Sequence, residues 1–161
     1  MIFKNAEFFN VSDLTPDTVP GGYVLHRLPT SLEGVMAGGG NANRDATGVE
    51  IRFVMRGDRV TLRLAAVPEP DNEGRHFIGN CRVSVYYGNM LGGWWDQEKD
   101  RHIGEDVTDL VICRPPEMET CRAISRAAGF PYAADVVRVL LEPGHYRFFD
   151  IIGDIEPPKP E

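Results

Sequence analysis

Apolar and polar residues alternate with a period of two over most of this chain, the mark of strands that pack one face and wet the other. The plainest case is residues 48–55 (GVEIRFVM), where Val49, Ile51 and Phe53 share one face and Glu50 and Arg52 the other. Residues 59–66 (RVTLRLAA) repeat the pattern, with Val60, Leu62 and Leu64 inward and Thr61 and Arg63 outward. Arg56-Gly57-Asp58 lies between them and has turn composition, so the two runs predict a β-hairpin. Similar runs predict strands over residues 6–11, 23–28, 81–87, 107–113, 136–141 and 146–152. Glu142-Pro143-Gly144-His145 joins the last two, because proline presets φ and glycine tolerates positive φ. A period near 3.6 occurs over residues 117–128, where Met118, Cys121, Ile124 and Ala128 fall on one helix face. Glu117 and Glu119 suit the N-terminal end of its dipole, and Gly129 suits its stop.

The segments between are short turns or polar loops. Residues 12–17 read as a turn or a short capped segment, and residues 31–36 as one helical turn or a strand. Residues 37–47 form a loop carrying Gly38-Gly39-Gly40, and residues 68–79 and 88–101 form two more. About eight strands with one short helix and no β-α-β alternation exclude a doubly wound parallel sheet. The expected fold is all-β: an antiparallel β-sandwich of jelly-roll type with one short helix. Residues 1–155 are read as that domain. Residues 156–161 (EPPKPE) are read as a stiff, proline-rich linker toward a further domain.

Composition narrows the partners. At 161 residues the prior is one domain with a core of its own. The formal net charge of −7 argues against nucleic acid or an anionic membrane as partner, since both need clustered Lys and Arg. The 17 glycines and 12 prolines, about 18% of the chain, suit many short strands and fall below the roughly 25–30% of low-complexity chains. Cys81, Cys113 and Cys121 show no CxxC spacing and read as reduced thiols. The opening MIFKNAEFF has no apolar run of signal-peptide length, and a cytoplasmic location is expected.

Catalytic motifs are scarce. The four serines, Ser12, Ser31, Ser84 and Ser125, lie in no nucleophile elbow, and His26, His76, His102 and His145 are scattered without metal-ligand spacing. Gly38-Gly39-Gly40 lacks the lysine of a phosphate loop. Arg56-Gly57-Asp58 matches an adhesion tripeptide but sits where a hairpin needs its turn. Asp71, Glu73 and His76 cluster in one loop, yet two carboxylates fall short of the six or more oxygens that calcium takes. No catalytic residue, cofactor or metal is expected. Trp94 and Trp95 are adjacent in a glycine-flanked loop and cannot both point one way in extended chain. Loop anchoring, a domain interface and a sugar-stacking platform are all open to them.

Three stretches carry a resemblance: residues 44–54 (RDATGVEIRFV), 135–141 (DVVRVLL) and 151–158 (IIGDIEPP). In layout the chain resembles the N-terminal β-sandwich, similar to carbohydrate-binding modules, that precedes the catalytic domain in some SGNH/GDSL-type hydrolases. The resemblance implies a non-catalytic accessory domain that packs on an ester-hydrolysing catalytic domain and helps shape its cleft, with acylated carbohydrate as the substrate class. It also implies that the exit link leads into the strand before a catalytic serine. Here Gly-Asp occurs as Gly57-Asp58 and Gly153-Asp154, never before Ser, and no Asp-x-x-His exists. The family's nucleophile and its His-Asp pair therefore have no matching positions. Arg44, Trp94 and Trp95 are the candidate ligand or interface residues, with a solvated or ion-paired surface role as the other reading of Arg44. A free-standing carbohydrate-binding module is the alternative function.

Overall fold

The computed structural model describes residues 1–35, 43–70, 73–77, 81–91 and 101–159. Its strands are β1 (Ile2–Phe3), β2 (Ala6–Phe9), β3 (Asp13–Pro16), β4 (Tyr23–His26), β5 (Glu50–Ala66) and β6 (Glu69–Pro70), then β7 (His76–Phe77), β8 (Val83–Tyr87), β9 (Met90–Leu91), β10 (Thr108–Cys113), β11 (Val136–Leu141) and β12 (Tyr146–Glu156). The helix predicted from sequence is α1 (Met118–Ala128), and a 3-10 helix spans Thr30–Val35. Every strand pairing among the described residues is antiparallel, so the fold is all-β as the alternation predicts.

The long strand β5 organises the rest. Its first half pairs with β2 through residues 50–52 and with β11 through residues 50–54. Its second half pairs with β10 through residues 59–64 and with β12 through residues 60–66. Strand β11 carries β8 and β9 beyond it, and β12 carries β4 and β3. Two sets of strands thus share β5. Ile51, Phe53 and Met55 from its first half and Val60, Leu62 and Leu64 from its second enter one core with Phe8, Val137, Val139 and Phe148. Phe8 and Phe148 meet edge to face at 5.0 Å, with Phe3 at 6.1 Å from Phe148.

The hairpin expected at Arg56-Gly57-Asp58 is not formed. Residues 50–66 are one strand, and β12 follows it from Ala66 opposite Tyr146 to Val54 opposite Glu156. Between the pairs Val60–Gly153 and Met55–Ile155, β5 has residues 56–59 where β12 has Asp154 alone. The tripeptide is therefore an outward bulge. The bulge shifts the buried positions from odd (51, 53, 55) to even (60, 62, 64), and that shift is what made one strand read as two. The Arg114 side chain holds the bulge, its Nη2 donating to the carbonyls of Met55 (2.8 Å), Arg56 and Gly57 (both 3.1 Å).

Other segments also differ from the reading. Residues 13–16, expected as a turn or capped segment, form β3 against β4. Helix α1 buries Met118, Cys121 and Ser125, while Ile124 and Ala128 face solvent, so its buried face is rotated from the predicted one. Gly129 ends it in the left-handed conformation, as expected. Strand β12 runs through Glu156, the first residue of the expected linker. Among the described residues no helix is long and apolar enough to cross a membrane.

Candidate binding groove

Glu50 and Arg52, read from sequence as the wet face of a hairpin strand, are each only 8% exposed. Register explains this. Glu7 of β2, Arg52 of β5, Arg138 of β11 and Tyr86 of β8 lie opposite one another in a single row across four strands. Phe9 stands beside Glu50 in the next row. The face opposite the core is thus covered by its own long side chains, whose stems are apolar and whose heads pair.

Glu50 is the hub. It accepts from Arg52 Nε at 2.7 Å and from Arg138 through Nε at 2.9 Å and Nη2 at 2.5 Å. Burial alone would push its carboxyl up, but the bonds from Arg138 and Arg52 outweigh it and hold the group below the usual carboxylate range. Both guanidinium groups also lie over rings. Arg52 is 3.7 Å from the centroid of Phe9 and 5.2 Å from that of Tyr132, and Arg138 is 4.5 Å from Tyr132 and 5.6 Å from Tyr86.

Tyr132 comes from the segment between α1 and β11. Ser125 Oγ, on the buried face of α1, donates to its carbonyl at 3.2 Å. The turn after β8 presses on the same segment, because Gly88, at φ +60°, would place a Cβ 2.9 Å from the carbonyl oxygens of both Tyr132 and Ala133. Only glycine fits that approach.

Beside this stack opens a groove of about 610 Å³, floored by Val54, Val136 and Phe9 and overlooked by Arg52 and Tyr132. One wall carries Asp135, which accepts from Arg122 Nη2 at 2.7 Å and lies 3.4 Å from Arg114 Nη1. The Arg122 bond holds Asp135 below the usual carboxylate range. The other wall is the end of β12 and its continuation, with the Arg56–Glu156 ion pair, Pro158 and Lys159. Arg56 likewise holds Glu156 low. The positive charge that balances each of these carboxylates is already in place. The groove therefore offers donors and acceptors without a dominant sign.

A second cavity, of about 230 Å³, contains Arg44, Asp17, His145, Arg147 and Glu69. Arg44, the one described member of the predicted surface, is half-exposed, with Nη2 3.9 Å from Glu33 Oε2. Asp17 pairs with Arg147, and His145 Nδ1 lies 2.6 Å from Glu69. Trp94, Trp95 and Asp71 lie outside the described residues, so the structure does not join Arg44 to the tryptophans. Nearby, the His26 ring bridges Thr15 Oγ1 and Glu33 Oε1, each at 2.8 Å. This hydroxyl–imidazole–carboxylate chain has the order of a nucleophile relay, but His26 is 3% exposed and none of the three lines either cavity. It ties the β3–β4 pair to the 3-10 helix. No group of three metal-ligating side chains occurs among the described residues.

Sequence reasoning missed the Glu50–Arg52–Arg138–Tyr132 cluster. Its signal was present: Arg138 interrupts the otherwise apolar run VVRVLL, and a lone charge there calls for an opposite charge on a neighbouring strand.

No protein-family model and no curated protein matches the chain. Among solved structures its fold is similar to that of a salicylyl-acyltransferase, SsfX3, from a tetracycline biosynthetic pathway, with a TM-score of 0.62 and 12% identity. That likeness covers 98% of this chain and 40% of the acyltransferase chain. At this identity it is a likeness of fold.

Proposed function

We propose that this chain is a non-catalytic β-sandwich accessory domain of an SGNH-type ester-hydrolysing protein, which packs on the catalytic domain and helps shape a cleft for acylated carbohydrate. The observation that carries the reading is the extent of the fold likeness: nearly all of this chain corresponds to less than half of a protein that transfers acyl groups. Acyl transfer and ester hydrolysis share one chemistry, addition of an oxygen nucleophile to an acyl carbon, and differ in whether an alcohol or water accepts the acyl group. The motif resemblance in residues 44–54, 135–141 and 151–158 supports the same reading. The local chemistry is compatible with it. Ser84 Oγ donates to Glu142 and Ser125 Oγ to the Tyr132 carbonyl, so both hydroxyls serve the framework.

The test is an ester assay of the purified chain beside the longer protein that carries it. The chain alone is expected to leave acetyl esters unhydrolysed. The longer protein is expected to hydrolyse them and to bind acylated saccharide more weakly when this domain is removed. Hydrolysis by the chain alone, lost on replacing one of Ser12, Ser31, Ser84 or Ser125 by Ala, overturns the reading.

A further inference from the structure

Arg52 is more than nine-tenths buried, yet it is only partly satisfied. Its Nε is bound to Glu50 and its ring-facing side to Phe9, but Nη1 is 3.6 Å from Glu7, beyond hydrogen-bond reach. Neither Nη nitrogen has a hydrogen-bond partner among the described residues. Neither nitrogen is among the buried polar atoms that lack a partner, so both are open to water or to a ligand. Arg52 lines the groove, so a ligand seated there can replace that water.

The other lining groups restrict what that partner is. Three acids, Glu7, Asp135 and Glu156, face three bases, Arg52, Arg56 and Lys159. An anion drawn to Arg52 meets the Glu7 carboxylate beside it. A cation drawn to the carboxylates meets Arg52 and Arg56. A hydroxyl has no such conflict, because it accepts from a guanidinium and donates to a carboxylate at once. The carboxylates of Asp135 and Glu156 are held ionised by Arg122 and Arg56, which keeps them as acceptors. Between the polar groups lie the apolar floor of Val54 and Val136 and the Tyr132 ring, which suit the axial C–H face of a saturated, puckered ring. The volume is within the roughly 300–1,000 Å³ of small-ligand sites.

We propose that this groove binds a neutral saccharide, with its hydroxyls on Arg52, Asp135 and the Arg56–Glu156 pair and a sugar face against Tyr132. The site shares no lining residue with the Arg44 cavity. It stands on the groove alone, whether or not the chain serves an ester hydrolase.

The experiment is a titration of the nitrogen-15-labelled chain, followed by amide shifts, with cellotetraose, xylotetraose and mannotetraose. An oligogalacturonate and a glucosamine oligomer serve as anionic and cationic counterparts. The expected result is saturable shifts at Arg52, Tyr132, Ala133 and Val136 with at least one neutral oligomer, and binding of either charged oligomer weaker by about tenfold or more. Tyr132→Ala is expected to weaken binding about tenfold by removing one stacking face. Val136→Trp, which fills the floor and leaves Arg52 in place, is expected to abolish it. Each variant is first checked for the dispersed amide spectrum of the folded chain. The proposal is overturned if none of the three neutral oligomers shifts these amides, if a charged oligomer binds tighter, or if Tyr132→Ala and Val136→Trp leave binding unchanged. It is also overturned if a longer polypeptide covers the groove with its following domain.

Discussion

Glu50 shows how a single carboxylate fixes the outer face of a sheet. It neutralises Arg52 from its own strand and Arg138 from the next, and each of those cations is stacked on rings. Glu50→Gln keeps the shape, leaves Arg138 without a carboxylate partner among the described residues and leaves Arg52 with only Glu7, 3.6 Å away. It is expected to destabilise the fold by about 3 kcal/mol at neutral pH, measured by urea unfolding. The pH dependence has a definite sign. Glu50 has a carboxyl held below its ordinary value in the folded state, so its contribution is fully present above the unfolded value, about 4.3. It is lost as pH falls through the lower folded value. The gap between wild type and Glu50→Gln is therefore expected to be widest near pH 7 and to narrow below about pH 4. A gap that stays constant down to acid-induced unfolding would show that the charge of Glu50 plays no part. None of this network was legible from periodicity, because alternation reports which residues share a face and not whether that face is wet. Four strands set in register, with a loop laid over them, turned an apparently solvated face into a buried one.

At the scale of elements, β5 separates what alternation can say from what it cannot. The inward residues Ile51, Phe53, Val60, Leu62 and Leu64 were correctly assigned from sequence, and all are fully buried. The connection between them was not. A change of phase fits a turn or a bulge equally well, and only the partner strand decides. Strand β12 spans both halves and so excludes a turn. Two substitutions test this directly. Gly57 has open space around it apart from the Asp154 side chain at 3.5 Å, so Gly57→Ala is expected to change stability by less than about 0.5 kcal/mol. Gly153, opposite the bulge at φ +150°, would set a Cβ 2.9 Å from the Arg59 carbonyl oxygen. Gly153→Ala is expected to lower stability by about 1–3 kcal/mol. A tight hairpin at residues 56–58 requires the reverse order. Helix α1 gives a second lesson. Its ends were readable from Glu119 and Gly129, but its buried face was not. Ser125 is buried there because its hydroxyl reaches the Tyr132 carbonyl, and a hydrophobicity count cannot foresee that.

For the molecule as a whole, the fold class followed from the sequence because period-2 patterning is dense and, among the described residues, only one α-helix of 11 residues interrupts it. The candidate site was less accessible. Arg44 lies in a small cavity, Trp94 and Trp95 lie outside the described residues, and the larger groove is assembled from β2, β5, the segment before β11 and the end of β12. Residues so far apart in sequence leave no local motif. At this scale the likeness to a solved structure is one of fold, with nearly all of the chain corresponding to 40% of the acyltransferase chain. The most direct test is to read the coding sequence past the codon for Glu161. An accessory domain predicts that the frame continues through the proline-rich segment and reaches a Gly-Asp-Ser or Gly-Ser-Ser motif within a few tens of residues. A stop codon immediately after Glu161 contradicts it, and the chain must then act alone.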